Sequence, residues 1–223
     1  LPEESGGWCD YMVELEFFKS MPEGIRKDAW FLTKVTMTGQ ERNPETGRYP
    51  LLNWDDPATN QKHPYWKKNI ESSDWVFNYD DGYYETKGIS SASGKTRMIF
   101  RYADILLLYA EAVAYGTKSI DDLAFDCMWR VQERAGVPLI SKDVTKEYFQ
   151  KAVLDERRWE TAGMEHSCMG RFFTMQRHEI LHLQKNYRDA AELSLNPNLT
   201  LSEEFYYFPI PDNELLIVPG LKD

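Results

Sequence analysis

The sequence lacks a run of about 18 consecutive apolar residues, the minimum that suggests a membrane-spanning helix. It also lacks an excess of positive charge, because 26 Lys and Arg residues face 36 Asp and Glu residues and leave a net charge of -10. A nucleic-acid-binding surface needs clustered Lys and Arg, so this class of partner is disfavoured. Cysteine is scarce: Cys9, Cys127 and Cys168 have no C-x-x-C spacing and allow at most one disulfide.

Aromatic residues, in contrast, are abundant. Seven Trp and 13 Tyr residues exceed what core packing usually demands. Residues 1–100 hold many of them, together with repeated turn signals such as Asn43-Pro44 and Asp81-Gly82 and no long helical period. We therefore expect this part to be loop-rich with a few short strands, of which Trp30–Met37 is the best candidate.

Helical periodicity begins at about Arg101. A first helix is predicted to run to about Tyr115, and a second from an N-cap at Ser119 to Ala135. Their short connection predicts an antiparallel αα-hairpin of tetratricopeptide-like size, which cannot bury its own apolar faces. The apolar side chains predicted to form the buried face of the first helix are Tyr102, Ile105, Leu106, Tyr109 and Val113.

Two further helices are predicted, over about 145–163 and about 171–192. Glu156 falls close to the apolar face of the third helix and is followed by two arginines. A carboxylate in that position needs a charged or hydrogen-bonding partner, so we interpret Glu156 as half of a structural ion pair. The fold class is thus mainly α, with a helical scaffold at 101–223 and a loop-rich, ligand-facing portion at 1–100 that together form one structural unit.

Three blocks resemble a known family in their order and spacing. Arg101–Ala112, Glu156–Glu160 and Phe208–Glu214 are similar to motifs in the C-terminal half of SusD/RagB-type outer-membrane nutrient-binding proteins. Val131–Gly136 also resembles a family pattern, with Gln132 in place of an arginine, while Thr174 stands where the family usually has Asp.

The resemblance implies a non-catalytic protein with no cofactor, no metal site and no catalytic residues. It implies capture of a glycan at the cell surface and delivery to a SusC-like TonB-dependent transporter, with a lipid anchor in a segment outside this chain. Members of the family are about twice this length, so we expect the missing N-terminal half of the same protein as a further partner. RagB-type relatives that take peptides leave peptide binding as an alternative.

Saccharides are commonly bound against flat aromatic faces, so aromatic side chains in loops are the natural ligand-binding candidates. Trp8 follows two glycines and Trp30 begins the strand candidate, which makes these two the leading choices for a stacking platform. The full predicted set is Trp8 with the adjacent Cys9, Trp30, Trp66, Trp75, Tyr83 and Tyr84.

One enzymatic motif competes with this interpretation. His178-Glu179-Ile-Leu-His182 has the H-E-x-x-H pattern, which on a helix places two imidazoles on one face beside a general base. The positions where a metzincin would continue hold Lys185 and Arg188 instead of Gly and His. A zinc hydrolase is therefore kept as an alternative function only.

Overall fold

The computed structural model describes residues 12–60, 62–67, 75–78, 80–86, 98–163 and 165–183, and beyond these residues 188, 190–195, 206, 209–218 and 220. The chain divides into two compact units, Leu1–Arg171 and Phe172–Asp223. The helices are α1 (Leu15–Ser20), α2 (Ile25–Trp30), α3 (Tyr102–Tyr115), α4 (Asp122–Ala135), α5 (Lys146–Thr161), α6 (Glu165–Arg177), α7 (Ala190–Leu195) and α8 (Asp212–Ile217). The strands are β1 (Phe31–Leu32), β2 (Lys34–Thr36), β3 (Leu51–Asn53), β4 (Tyr65–Trp66), β5 (Trp75–Phe77) and β6 (Tyr84–Thr86). The mainly helical fold class is confirmed.

The first unit is built on α3, α4 and α5, which share one apolar core. Small residues on α3 let the other two helices approach closely, and Phe149 of α5 packs edge-on against Phe125 of α4 at a centroid distance of 4.8 Å. Cys127 is buried in this core as a free thiol. The buried apolar residues of α3 are Ala103, Leu107, Ala110 and Ala114.

The predicted buried face of α3 is correct only in part: Leu106 and Val113 pack, partly buried, against the core, but its other three residues are exposed. Tyr102, Ile105 and Tyr109 are 62%, 53% and 36% exposed. The helix carries apolar side chains almost all round, so periodicity alone could not choose between two faces. The three alanines decide it, because a face of short side chains allows the closest helix contact.

Helix ends follow capping chemistry. The N-cap of α4 is Asp121, not the predicted Ser119, since the Asp121 side chain accepts the Ala124 N–H at 2.8 Å. Gly136 ends α4 in the left-handed conformation, with φ of 69°. The predicted helix over 171–192 is also wrong in extent: α6 begins at Glu165 and ends at Arg177.

The loop-rich part has three separate antiparallel strand pairs, β1 with β4, β2 with β3, and β5 with β6. Of the strand candidate Trp30–Met37, Trp30 instead ends α2, and the remainder is divided at Thr33, because β1 and β2 pair with different partners. Trp66 of β4 lies against Gly163 at the end of α5, so close that a methyl group at Gly163 would meet ring atom Cζ3 at 2.6 Å. Within the described part of the chain, no helix is long and apolar enough to cross a membrane.

A buried ion network joins α2 to the helical core. Arg26 donates to Glu156 and, at 3.2 Å, to Glu160, and these three side chains are at most 3% exposed. Arg101 reaches Glu160 from the start of α3 at 2.9 Å, and Arg134 of α4 reaches it at 2.5 Å. The prediction that Glu156 is a structural ion-pair residue is confirmed. Burial nevertheless raises the pKa of Glu156 above its ordinary value.

In the second unit, Tyr206 ties α6 to the chain that follows it. The Gln176 side-chain amide donates to the Tyr206 carbonyl, and the Tyr206 hydroxyl accepts the Leu181 N–H at 3.0 Å.

Candidate ligand-binding site

One wall of the candidate site is the loop that joins β2 to β3. Asn43 folds this loop on itself, because its side-chain oxygen accepts the N–H groups of Glu45 at 2.8 Å and Thr46 at 3.1 Å. Gly47 then reverses the chain with φ of 68°, a conformation that glycine adopts without strain. The turn brings Arg48 and Tyr49 to the same edge of the loop.

The opposite wall is the turn between β5 and β6. The Gly82 N–H donates to the Asn78 carbonyl at 3.0 Å, and the Asn78 N–H donates to the Tyr83 carbonyl at 2.8 Å. The Asp81 carboxylate accepts the Tyr83 N–H at 2.9 Å, which fixes its orientation. Lys34 of β2 donates to the Asp81 carbonyl at 2.9 Å and so links this turn to the neighbouring strand pair.

Between the two walls lies a cavity of about 320 Å³. That volume is at the lower end of the range of small-molecule sites. Its lining mixes aromatic rings with groups that donate or accept hydrogen bonds. The lining residues are Asn43, Thr46, Arg48, Tyr49, Pro50, Leu51, Asp81 and Tyr83.

Arg48 at the cavity wall and Arg42 beside it each pair with one carboxylate and one tyrosine ring. Arg48 reaches Asp81 at 2.5 Å and lies over the Tyr83 ring, with its guanidinium carbon 4.8 Å from the ring centroid. Arg42 pairs with Glu85 and lies 4.0 Å from the centroid of the Tyr49 ring. A cation held over an aromatic face is attracted by the ring quadrupole, so each guanidinium has two independent anchors.

The protonation states follow from these contacts. The Tyr83 N–H, with help from Arg48, lowers the pKa of the Asp81 carboxyl. Arg42 lowers the pKa of Glu85, and burial together with the hydrogen bond to Glu85 raises the pKa of the Tyr83 phenol. At neutral pH the site therefore holds two ionised carboxylates and a neutral phenol that donates to Glu85 at 2.8 Å.

Among the predicted ligand-binding residues whose side chains the structure describes, Trp30 and Trp66 belong to one apolar cluster and do not line the cavity. Tyr83 lines the cavity but is only 5% exposed, because Arg48 covers its ring. Tyr84 is fully buried and Trp30 is 8% exposed, so neither ring offers a face to solvent in this structure. Trp66 is half-buried against Gly163.

Three predicted residues cannot be placed in the site. The Trp75 backbone pairs with Thr86 in the β5–β6 pair, but its side chain is outside what the structure describes. Trp8 and Cys9 also lie outside the described residues.

Sequence reasoning missed the two arginines and Tyr49. The sequence does contain one signal for the site, the Asp81-Gly82 turn, which predicts a change of chain direction but not the partner of Asp81. The pairing of Arg48 with Asp81 spans 33 positions, and no local spacing rule predicts a contact over that distance.

The H-E-x-x-H motif does not have the geometry that its zinc-binding form requires. The helix α6 ends at Arg177, directly before the motif, and Glu179 has φ of 55°. The i, i+4 relation that would align two imidazoles on one helical face is thus absent at His178 and His182. Among the described residues, no group of three or more His, Cys, Asp or Glu side chains could hold a metal ion.

Comparisons with known proteins all point to the same family. The model of the SusD family matches residues 2–223. The SusD-like protein P25 of Formosa agariphila is 28% identical over 130 residues, which are 57% of this chain and 23% of that protein. A crystal structure of a SusD superfamily protein from Bacteroides vulgatus aligns over 98% of this chain and 45% of its own, with a TM-score of 0.62 and 20% identity. The chain therefore spans less than half the length of these relatives.

Proposed function

Because this chain belongs to the SusD family, whose model matches residues 2–223, we propose that it binds a glycan at the cavity between residues 43–51 and 81–83. The observation that carries the proposal is the half-exposed Arg48–Asp81 pair, held beside Tyr49 and Tyr83. A guanidinium and a carboxylate side by side offer donors and acceptors to neighbouring sugar hydroxyls. Tyr49, which is half-buried, supplies rigid contact area at small cost in entropy, while Tyr83 anchors the Arg48 guanidinium.

We further propose that the bound glycan is passed to a SusC-like TonB-dependent transporter at the outer membrane. In this role the protein faces outward, is held by a lipid anchor outside these residues, and performs no chemistry on its ligand. Trp8 and Trp75 are proposed as additional stacking platforms, with Cys9 beside Trp8.

We also propose that the exposed face of α3 packs against helices of the same protein that lie outside these residues. Tyr102 and Ile105 are more than half exposed, and the neighbouring Phe100 is 69% exposed. Apolar side chains this exposed and this close together mark an interaction surface.

Ile105→Lys should improve the solubility of the 223-residue chain but lower the melting temperature of the full-length protein. An unchanged melting temperature there would show that this face is also open in the full-length protein.

Calorimetry on the full-length protein against a panel of oligosaccharides and peptides tests the glycan proposal. Arg48→Ala should weaken the best glycan by about 2 kcal/mol, the usual hot-spot threshold. Arg130→Ala is the matched control, because Arg130 also lies over a tyrosine ring, Tyr102 at 5.3 Å, but on the helical scaffold. Peptide binding without glycan binding would favour the RagB-like alternative. Equal losses of glycan affinity in Arg48→Ala and Arg130→Ala would mean that the glycan binds elsewhere.

A further inference from the structure

We infer that the cavity selects neutral saccharides over acidic ones, an inference that rests on the proposed glycan-binding function. The reason is that the positive charge of Arg48 in the cavity wall, and of Arg42 over the ring of the wall residue Tyr49, is already compensated by carboxylates. Arg48 is paired with Asp81 and Arg42 with Glu85, and all four side chains reach the surface, with exposed fractions between 26% and 43%.

The charges on the cavity walls support this inference. Residues 41–50 and 80–85, together with Lys34, carry three basic and five acidic side chains. An acidic ligand would therefore enter a region without excess positive charge, and like charges brought together across an interface oppose binding. The basic side chains are Lys34, Arg42 and Arg48, and the acidic ones are Glu41, Glu45, Asp80, Asp81 and Glu85.

The hydrogen-bonding capacity of the Asp81–Arg48 pair favours hydroxyl groups. An ionised carboxylate has about four lone-pair directions. The Asp81 carboxylate uses one for the Tyr83 N–H and one for Arg48, which leaves acceptor capacity toward the cavity. A sugar hydroxyl can donate to Asp81 and accept from Arg48, whereas a sugar carboxylate or sulfate can only accept.

The anchoring of the guanidiniums prevents an easy rearrangement toward an anion. To pair with an acidic sugar in place of its carboxylate, Arg48 would have to leave both Asp81 and the Tyr83 ring. Arg42 is held in addition by the Gly47 carbonyl, which accepts from its Nη1 at 2.7 Å. An acidic ligand would thus lose contacts that a neutral ligand leaves intact.

The test compares saccharides that differ only at C6. Hexasaccharides of glucose, galactose and mannose, which carry a hydroxymethyl group, are measured by calorimetry against those of glucuronic, galacturonic and mannuronic acid. For the sugar series that binds the full-length protein, we expect the neutral member to bind at least about tenfold tighter, as one unfavourable charge contact implies. Equal or tighter binding of the acid would overturn the selectivity but support glycan binding. Binding of no saccharide would overturn both.

Asp81→Asn sharpens the test. Asparagine keeps a side-chain oxygen for the Tyr83 N–H but leaves Arg48 without its carboxylate, so the preference for the neutral member should shrink by about tenfold or reverse. Asp126→Asn on α4 removes the same unit of charge from an exposed position on the scaffold and should leave the preference unchanged. If Asp81→Asn leaves the preference unchanged, or if both variants change it equally, Asp81 does not set the selectivity and the inference is wrong.

Discussion

Helices α3, α4 and α5 bury a continuous apolar core, whereas the described residues before them form two helices of six residues and strands of two or three residues in three separate pairs. The helices satisfy their backbone internally, so their side chains are left to pack. The short strands pair few of their backbone N–H and C=O groups with one another. Side chains such as Asn43, Thr59 and Lys62 form hydrogen bonds with nearby backbone groups instead. Order in the loop-rich part therefore depends on individual polar side chains as well as on two small apolar clusters, around Val35 and around Phe31.

This difference explains where a ligand site can form. The polar side chains on the buried face of α3 are used in ion pairs, Asp104 with Arg101 and Glu111 with Arg157, while loops held by polar side chains expose the same kinds of group that bind ligands. The buried ion network and the contact of Trp66 with Gly163 then fix the loop-rich part on the rigid scaffold.

The largest effect should come from breaking the buried ion network. Glu156→Ala leaves the Arg26 guanidinium buried with Glu160 as its remaining carboxylate, and we expect a loss of about 3–5 kcal/mol in the free energy of unfolding. Urea denaturation of the full-length protein measures it. Asp122→Ala removes an exposed ion pair with Lys142 on the same scaffold and should cost less than about 1 kcal/mol. Similar losses in the two variants would show that burial of the network is unimportant.

A smaller effect is expected where the two parts meet. Gly163→Ala both strains a residue with φ of 64° and drives a methyl group into the Trp66 ring, so it should cost about 2–3 kcal/mol. Gly47→Ala has nearly the same φ, 68°, but has open space around the added methyl group. The loss of unfolding free energy in Gly163→Ala minus the loss in Gly47→Ala gives the cost of the steric clash with the Trp66 ring. If the two variants are equally stable, Trp66 moves aside at little cost and does not hold the loop-rich part in place.

The same comparison explains what the sequence could predict. The three scaffold helices were predicted to within a few residues, because their apolar periods and capping residues are local signals. The buried face of α3 could not be predicted, since the choice between its alanines and its tyrosines depends on which helices pack against it. The Arg48–Asp81 and Arg42–Glu85 pairs join distant loops and have no periodic signal, and of the residues that line the cavity Tyr83 alone was in the predicted ligand-binding set.

The smallest effect concerns pH and the two surface carboxylates. Their folded-state pKa values lie below their ordinary values, so protonation favours the unfolded or rearranged loop. The order they contribute is complete above the ordinary pKa values of Asp and Glu and is lost as the pH falls through the lowered values. Carboxyl-carbon NMR titration should therefore show inflections for Asp81 and Glu85 below the ordinary ranges of Asp and Glu.

Arg42→Gln should raise the Glu85 inflection, because Arg42 is the main cause of its shift. Arg48→Gln should raise that of Asp81 by less, because the Tyr83 N–H, which dominates its shift, is retained. Inflections that do not respond to these changes would mean that the arginines do not hold the carboxylates in solution.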